Sequence, residues 1–260
     1  WKDIPPDQVS ISELNLEPVG AGPYKVAKTF LSSGGTVSSY ALQSFPNYVL
    51  GEPYIRKMKL IFYPSEIEQI NAFENSEIDF ISAISPKSIE KIRRRNKEIK
   101  SLNLPRVFGV FFNQNEKSLF IDKTVRQVLD MSADKDRIIA DVLGGYAEKA
   151  YSPIPKGSFG AIKSASSTAY NIDEARSLLE KNGWTFNGEK GMYEKIEKGE
   201  VAAELSFSIS TSNAPDLVRA ADVLKSSWEK LGAKVEVRVF EISDLNQNVI
   251  KPRKYDSLLF

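Results

Sequence analysis

The stretch from Phe108 to Pro155 reads FGVFFNQNEKSLFIDKTVRQVLDMSADKDRIIADVLGGYAEKAYSPIP, and the rest of the chain is organised around it. It opens with an apolar run at 107–112, which predicts a short strand buried on both faces. Asp122 occupies the N-cap position of a first helix and Asp134 that of a second. Gly144-Gly145 follows the second helix, where glycine is favoured as a C-terminal cap. The stretch therefore predicts a strand followed by two capped helices.

The same stretch resembles the family 5 extracellular solute-binding proteins, which are the peptide, oligopeptide and nickel receptors of ABC importers. The resemblance extends over the whole stretch, because its anchor residues occur in the family's order. These anchors are Phe112-Asn113-Gln114, Phe120-Ile121-Asp122, Val125-Arg126-Gln127, Ser132-Ala133-Asp134-Lys135, Ile138, Val142, Gly145, Ala150 and Ser152-Pro153-Ile154-Pro155.

Two further segments are similar to motifs of this family. Residues 18–25 read PVGAGPYK, and residues 255–260 open with Tyr255-Asp256. The glycines of the first segment could also suggest a phosphate-binding loop. However, Pro23 and the residues after it predict a strand, whereas a dinucleotide-binding loop leads into a helix. The segment at 45–53 matches the family only in part, since Phe45 and Val49 replace the usual Asn and Trp.

The resemblance implies an α/β fold of the periplasmic-binding-protein type (class II, cluster C), with two lobes and mixed sheets. Residues 1–104 are expected to form the middle portion of the first lobe and residues 105–260 the first part of the second. The hinge is expected at 104–106, because Pro105 favours an extended crossing. The absence of an initiator methionine at Trp1 suggests a fragment, and the resemblance implies that both ends of the family's fold are lacking.

The function implied by the resemblance is that of a receptor that binds short peptides or a similar small solute. Its implied partners are the permease and ATPase subunits of an ABC importer, and the protein is expected to be a monomer. A periplasmic or extracellular, cell-surface location is implied, with lipid anchoring of the full-length protein as one arrangement. The alternative is a ligand-sensing domain of a DNA-binding regulator, for which the basic segment at 91–100 is the only hint. A solvated helix surface explains that segment better.

Composition excludes several other classes of function. The chain has 260 residues and a net charge of +1, which gives no general reason to expect nucleic acid as a partner. It contains no cysteine and no histidine, so thiolate zinc sites and a Ser-His-Asp triad are excluded. We therefore expect no catalysis and no bound metal or organic cofactor.

Candidate ligand contacts lie where the chain is expected to enter the second lobe. Asn113 is the preferred one, because a polar residue that ends a buried strand needs a partner. The three phenylalanines of the strand have a plainer interpretation as core, which we favour for at least two of them. The complete set of candidates is Asn113, Phe108, Phe111, Phe112, Tyr146, Ser82 and Ser85.

Outside the central stretch, residues 20–44 predict two strands joined by a turn at 32–35. Residues 58–81 predict a strand, a helix capped by Ser65 and Glu68, and a returning strand at 77–81, which is a βαβ unit. Towards the end, we expect a helix capped by Asn171, a hairpin at 184–199 and two further strands around a long helix. Trp228 lies on the apolar face of that helix and is expected in the core.

Overall fold

The structure is a computed structural model. It describes residues 4–5, 8, 12–16, 18–82, 84–93, 98–102, 104–161 and 168–260. Contacts divide the chain into two compact units, residues 1–84 and residues 85–260.

The first unit contains an antiparallel sheet of three strands in the order β1-β2-β3. The strands are β1 (Tyr24–Leu31), β2 (Val37–Ser44) and β3 (Lys57–Ile61). The predicted turn closes β1 onto β2 through a hydrogen bond from the Ser32 amide to the Thr36 carbonyl. Gly35 has a φ of 77°, a conformation that glycine adopts without steric cost.

Helix α1 (Glu66–Glu74) follows the sheet, and Ser65 caps it as predicted, accepting from the Glu68 amide. The prediction of a βαβ unit is wrong, because residues 77–81 form no strand. The Glu77 amide donates to the Ala72 carbonyl of α1 at 2.9 Å, and no described strand pairs with this segment. Phe80, within it, is 77% exposed.

The second unit begins with a helix and contains both helices and strands. Its helices are α2 (Pro86–Arg93), α3 (Lys123–Met131), α4 (Lys135–Arg137), α5 (Ile172–Lys181), α6 (Pro215–Leu231) and α7 (Ile242–Asp244). Its strands are β4 (Val110–Phe112), β5 (Trp184–Asn187), β6 (Met192–Glu197), β7 (Glu200–Glu204), β8 (Ser206–Ser212), β9 (Lys234–Phe240) and β10 (Ser257–Leu259). The predicted hairpin at 184–199 is thus the first part of a three-stranded sheet, β5-β6-β7.

The main sheet of this unit is mixed, with the order β4-β10-β8-β9. Strand β8 runs parallel to β9 and to β10, whereas β4 runs antiparallel to β10. Helix α6 connects β8 to β9, which is the crossover that two parallel neighbours require. Gly232 ends this helix with a φ of 110°.

The core of the second unit is built around Trp228, which is 1% exposed. Its indole nitrogen donates to the Leu129 carbonyl at 2.9 Å, which satisfies the one polar group of a buried tryptophan. Its ring packs against Phe112 and Phe207, and both of these also contact Phe120. The prediction that Trp228 belongs to the core is confirmed.

The helix caps of the central stretch are also confirmed. Asp122 accepts from the Thr124 amide at 2.8 Å, and Asp134 accepts from the Arg137 amide at 3.0 Å. Further along, Asn171 accepts from the Glu174 amide at 3.0 Å. After α4 the chain continues as a π-helical turn, Ile138–Val142.

The strand predicted at 107–112 is shorter and less buried than expected. Strand β4 covers only Val110–Phe112, and Phe111 at its centre is 57% exposed. The physical reason is that β4 lies at the edge of the sheet. Phe111 pairs with Leu258 of β10, and the two side chains share a face of the sheet. Leu258 is buried in a small cluster with Leu245 and Val249, whereas Phe111 is not part of this cluster.

The lobe boundary at 104/105 stays a prediction, since lobes are a property of the complete family fold. By contacts, helix α2 already belongs to the second unit. None of the helices in the described part of the chain combines the length and the apolar character needed to cross a membrane.

Candidate functional site

The candidate ligand-binding surface of the second unit is the edge of its main sheet at which the parallel strands end. We call this the carboxyl edge, and it comprises the ends of β8, β9 and β10 and the start of the antiparallel strand β4. In open α/β sheets, ligands bind outside the carboxyl ends of the strands.

Phe108 lies at the carboxyl edge, just before β4, and is 54% exposed. The guanidinium of Arg106 lies 5.9 Å from the centre of its ring, in a cation–π arrangement. The backbone is held by two hydrogen bonds between Gly109 and Phe260, of 3.0 and 3.2 Å. Phe260 is itself 45% exposed. An exposed aromatic pair thus lies at this edge on a firmly paired backbone.

The start of helix α6 lies at the same edge. Strand β8 ends at Ser212, whose hydroxyl accepts from the Ala214 amide, and the Asn213 amide donates to the Phe240 carbonyl at 2.8 Å. One turn into the helix, Arg219 pairs with Asp216 at 2.6 Å. These contacts join the ends of β8 and β9 to the first turns of α6.

The loop that contains Tyr146 adjoins these first turns of α6, because Arg219 also donates to the Val142 carbonyl at 3.4 Å. The Tyr146 hydroxyl accepts from Arg93 at 2.9 Å, at the end of helix α2. Ser85 starts the same helix, and its hydroxyl lies 3.2 Å from that of Ser88. Tyr146 and Ser85 are therefore both associated with α2, Ser85 as a helix-terminal residue.

Asn113 lies at the opposite edge of the sheet from Phe108. Its side-chain amide donates to the Arg253 carbonyl at 2.8 Å, and its oxygen accepts from the Asn115 and Glu116 amides. Its own amide donates to the Asp256 carbonyl. Asn113 thus finds the partner that a strand-ending polar residue needs within the protein, and it anchors Arg253, which has a φ of 57°.

The three phenylalanines separate into two groups. Phe112 packs into the core, with its ring 4.7 Å from that of Phe120. Phe108 and Phe111 are exposed on the surface. The interpretation of at least two of them as core residues is therefore wrong, because an edge strand with one open face buries only the side chains that point inward.

Ser82 belongs to the first unit, where its carbonyl accepts from the Gln69 side chain at 3.5 Å. The basic segment at 91–100 is only partly described, since residues 94–97 lie outside the described residues. The roles of Ser82 and of that segment in binding stay predictions.

Asp256 plays a part that motif comparison did not reveal. Its carboxylate accepts from both the amide and the hydroxyl of Ser208, at 2.8 and 3.0 Å. The Ser257 hydroxyl donates to the Ser208 carbonyl at 2.8 Å, and Thr211 donates to the Leu259 carbonyl at 3.0 Å. These side chains form a polar seam between β8 and β10. The alternation of serine with Phe207 and Ile209 in β8 was the feature of the sequence from which this seam could have been predicted.

With this geometry established, comparison with known proteins identifies the fold. The family described as bacterial extracellular solute-binding proteins, family 5 middle, matches residues 2–260. The chain belongs to this family. The resemblance seen in the motifs is thereby confirmed, and so is the α/β fold with mixed sheets as part of a two-lobe structure.

Among curated relatives, the chain is 25% identical over 250 residues to the nickel-binding protein NikA of Staphylococcus aureus, covering 96% of this chain and 46% of that protein. It is 26% identical over 256 residues to the oligopeptide-binding protein AppA of Bacillus subtilis, covering 96% of this chain and 45% of the relative. The chain thus spans about half the length of the relatives it matches.

Solved structures show the same fold. The structure of Bacillus subtilis AppA in complex with a nonapeptide matches with a TM-score of 0.68 at 24% identity, over 100% of this chain and 50% of that one. The structure of NikA from Brucella suis in complex with Fe(III)-EDTA matches with a TM-score of 0.72 at 21% identity, over 94% of this chain and 48% of that one.

Proposed function

We propose that the protein containing this chain is the solute-binding receptor of an ABC importer and that its solute is a short peptide. Membership of the family supports the receptor role, and relatives named as oligopeptide- and dipeptide-binding proteins support the choice of solute. The receptor is non-catalytic and acts in the periplasm or at the cell surface. It delivers the peptide to the permease, whose ATPase subunits drive import.

The observation that carries this proposal is the exposed aromatic surface at the carboxyl edge. Phe108 stays 54% exposed although its backbone is firmly paired through Gly109. Binding sites for small molecules are lined mainly by apolar and aromatic groups with a few polar ones. Phe108 and Phe260 supply the aromatic wall, and Asn213, which follows the end of β8, supplies a polar side chain.

The ligand contacts are assigned accordingly. Phe108 is the principal one, with Tyr146 contributing its ring and Phe111 a further apolar surface. Asn113, Phe112 and Ser85 act by supporting the backbone, because their side chains are engaged within the protein or packed in the core. Ser82 stays a candidate from the first unit.

Calorimetry on the full-length protein with a library of di- to pentapeptides tests the proposal. We expect binding, and we expect Phe108→Ala to weaken it about tenfold, the effect of losing one aromatic contact worth somewhat more than 1 kcal/mol. Phe159→Ala is the matched control, since Phe159 is 104% exposed and belongs to the turn after Pro155 rather than to the strand ends that form the carboxyl edge.

The 260-residue chain by itself is expected to bind the same peptides far more weakly, because a two-lobe receptor gains affinity by enclosing its ligand. Micromolar binding by this chain would show that the remaining parts of the protein are not needed. No binding of any peptide by the full-length protein, together with tight binding of a nickel–histidine complex, would replace the peptide by a metal chelate.

A further inference from the structure

A basic face of the first unit is not accounted for by solute binding. Four lysines lie on one face of the β1-β2-β3 sheet, because the strand register places them opposite one another. Lys25 and Lys57 flank Gln43, and Lys28 and Lys59 flank Ala41 in the next row. Residues directly opposite on neighbouring strands share a face. We call these four residues the lysine face.

The lysine face carries no neutralising acid within the described part of the chain. All four lysines are exposed, and none of them forms an ion pair with a described residue. Two of them instead approach the Phe30 ring, with Lys28 at 4.8 Å and Lys59 at 5.4 Å from its centre. A shallow depression of about 410 Å³, lined in part by Ala41, Lys57 and Lys59, lies on the sheet. The face is therefore an open, cationic surface with one shallow depression.

An apolar loop adjoins this face. Residues 45–56 connect β2 to β3 directly beyond the row of Lys25 and Lys57, and a hydrogen bond of 2.9 Å from the Ser44 amide to the Arg56 carbonyl closes the loop. Its large apolar side chains project into solvent. They are Phe45 (40% exposed), Val49 (88%), Leu50 (83%), Tyr54 (105%) and Ile55 (61%).

We propose that the lysine face and the loop at 45–56 together form a docking surface for an anionic phospholipid bilayer. Peripheral attachment to a bilayer combines apolar side chains buried at the headgroup boundary with basic side chains attracted to anionic lipids. Here the two elements are adjacent in one small sheet. Four lysines on one open face suit a plane of lipid phosphates, and the apolar side chains of the adjoining loop suit the headgroup boundary.

The loop supplies the part of the attachment that salt does not screen. Val49, Leu50 and Tyr54 are the most suitable side chains to enter the headgroup region, because they are the most exposed apolar side chains of the loop. The lysines supply the part that salt weakens, over the Debye length of about 8 Å at physiological ionic strength. The inference goes beyond solute binding and does not depend on which solute the protein carries.

The test is co-sedimentation of the full-length protein with lipid vesicles, using protein produced without any lipid modification. The vesicles are phosphatidylcholine with roughly 30% phosphatidylglycerol, which makes their surface anionic. We expect binding that falls as salt is raised and is far weaker on pure phosphatidylcholine. Each lysine near an anionic surface contributes about fivefold in affinity, so Lys25, Lys28, Lys57 and Lys59 changed together to Gln should weaken binding by at least about a hundredfold.

The matched control changes Lys123, Lys181, Lys230 and Lys251 to Gln, four exposed lysines of the second unit. The net charge changes equally, and we expect little loss of vesicle binding. Peptide binding by both variants should be that of the parent protein, which separates this proposal from the proposed function. An equal loss in both variants would overturn the proposal, since it would show attraction by net charge alone.

Insertion of the loop is tested separately. The chain contains no cysteine, so Tyr54→Cys provides a unique position for a polarity-sensitive dye. We expect a blue shift with anionic vesicles, and no shift for the same dye at Glu200→Cys in the second unit. If millimolar inorganic phosphate abolishes vesicle binding, the surface is a site for small anions and the proposal of a bilayer is overturned. Binding by the 260-residue chain but not by the full-length protein would also overturn it, because the surface would then be covered.

Discussion

The two units of this chain differ in how they use their apolar residues. In the second unit, Trp228, Phe120 and Leu129 are almost completely buried in a continuous core between helices and a mixed sheet. In the described part of the first unit, the buried apolar side chains are Ile70 and Ala72, while Phe62 and Leu60 on the sheet stay partly exposed. The second unit is therefore held together by a continuous core of its own, whereas the described part of the first unit buries few large apolar side chains.

The largest effect that tests this comparison is expected from Trp228→Ala. Removing a buried tryptophan leaves a cavity and should lower the free energy of unfolding by about 3–5 kcal/mol. It also removes the donor to the Leu129 carbonyl. The counterpart in the first unit, Phe62→Ala, should cost less than about 1 kcal/mol, because Phe62 is 54% exposed. Urea unfolding followed by far-UV circular dichroism measures the free energy of unfolding of both variants. Equal losses in the two variants would contradict the difference between the two units.

A medium effect is expected at the polar seam between β8 and β10. Asp256→Ala leaves the Ser208 amide and hydroxyl without their acceptor, which should cost about 1–3 kcal/mol. Asp256→Asn keeps one oxygen in place and should cost less. Hydrogen exchange at the Ser208 amide is the specific readout, and we expect faster exchange in Asp256→Ala. Unchanged exchange would show that the amide is protected by other means.

The smallest effects are expected at the helix caps, which occur in both units. Asp122→Ala should lower stability by about 1 kcal/mol, since its bond to the Thr124 amide is 2.8 Å long. Ser65→Ala should cost about half as much, because its bond to the Glu68 amide is 3.3 Å long and lies in the less buried unit. Asp122→Asn preserves the capping oxygen and serves as the control. Thermal unfolding midpoints compare the three variants, and a larger loss for Ser65→Ala would reverse the order.

Local chemistry in the sequence was sufficient to predict much of the fold. Asp122, Asp134 and Asn171 cap helices as predicted, because a short polar side chain before an apolar helical pattern has few alternatives. Trp228 was placed in the core by its spacing alone. The family was recognisable because its motifs consist of such locally constrained residues.

Two sequence-based expectations failed where pairing or burial depends on distant residues. Residues 77–81 have strand-like composition but no partner strand within the described chain. The strand before Asn113 lies at a sheet edge, so Phe108 and Phe111 are exposed although their composition suggested burial. The role of Asn113 in binding stays a prediction, and its side-chain amide donates to the carbonyl of Arg253, 140 residues later in the chain.

The sequence by itself determined the helix starts, the glycine-marked turns, the family and the absence of histidine and cysteine chemistry, since each of these depends on residues close together in the chain. Only the tertiary structure decided which candidate residues share a surface. It placed Phe108 at the carboxyl edge and Asn113 at the opposite one, because β4 runs antiparallel to β10. It also aligned four lysines on one face of a sheet, because strand register joins residues that are more than thirty positions apart.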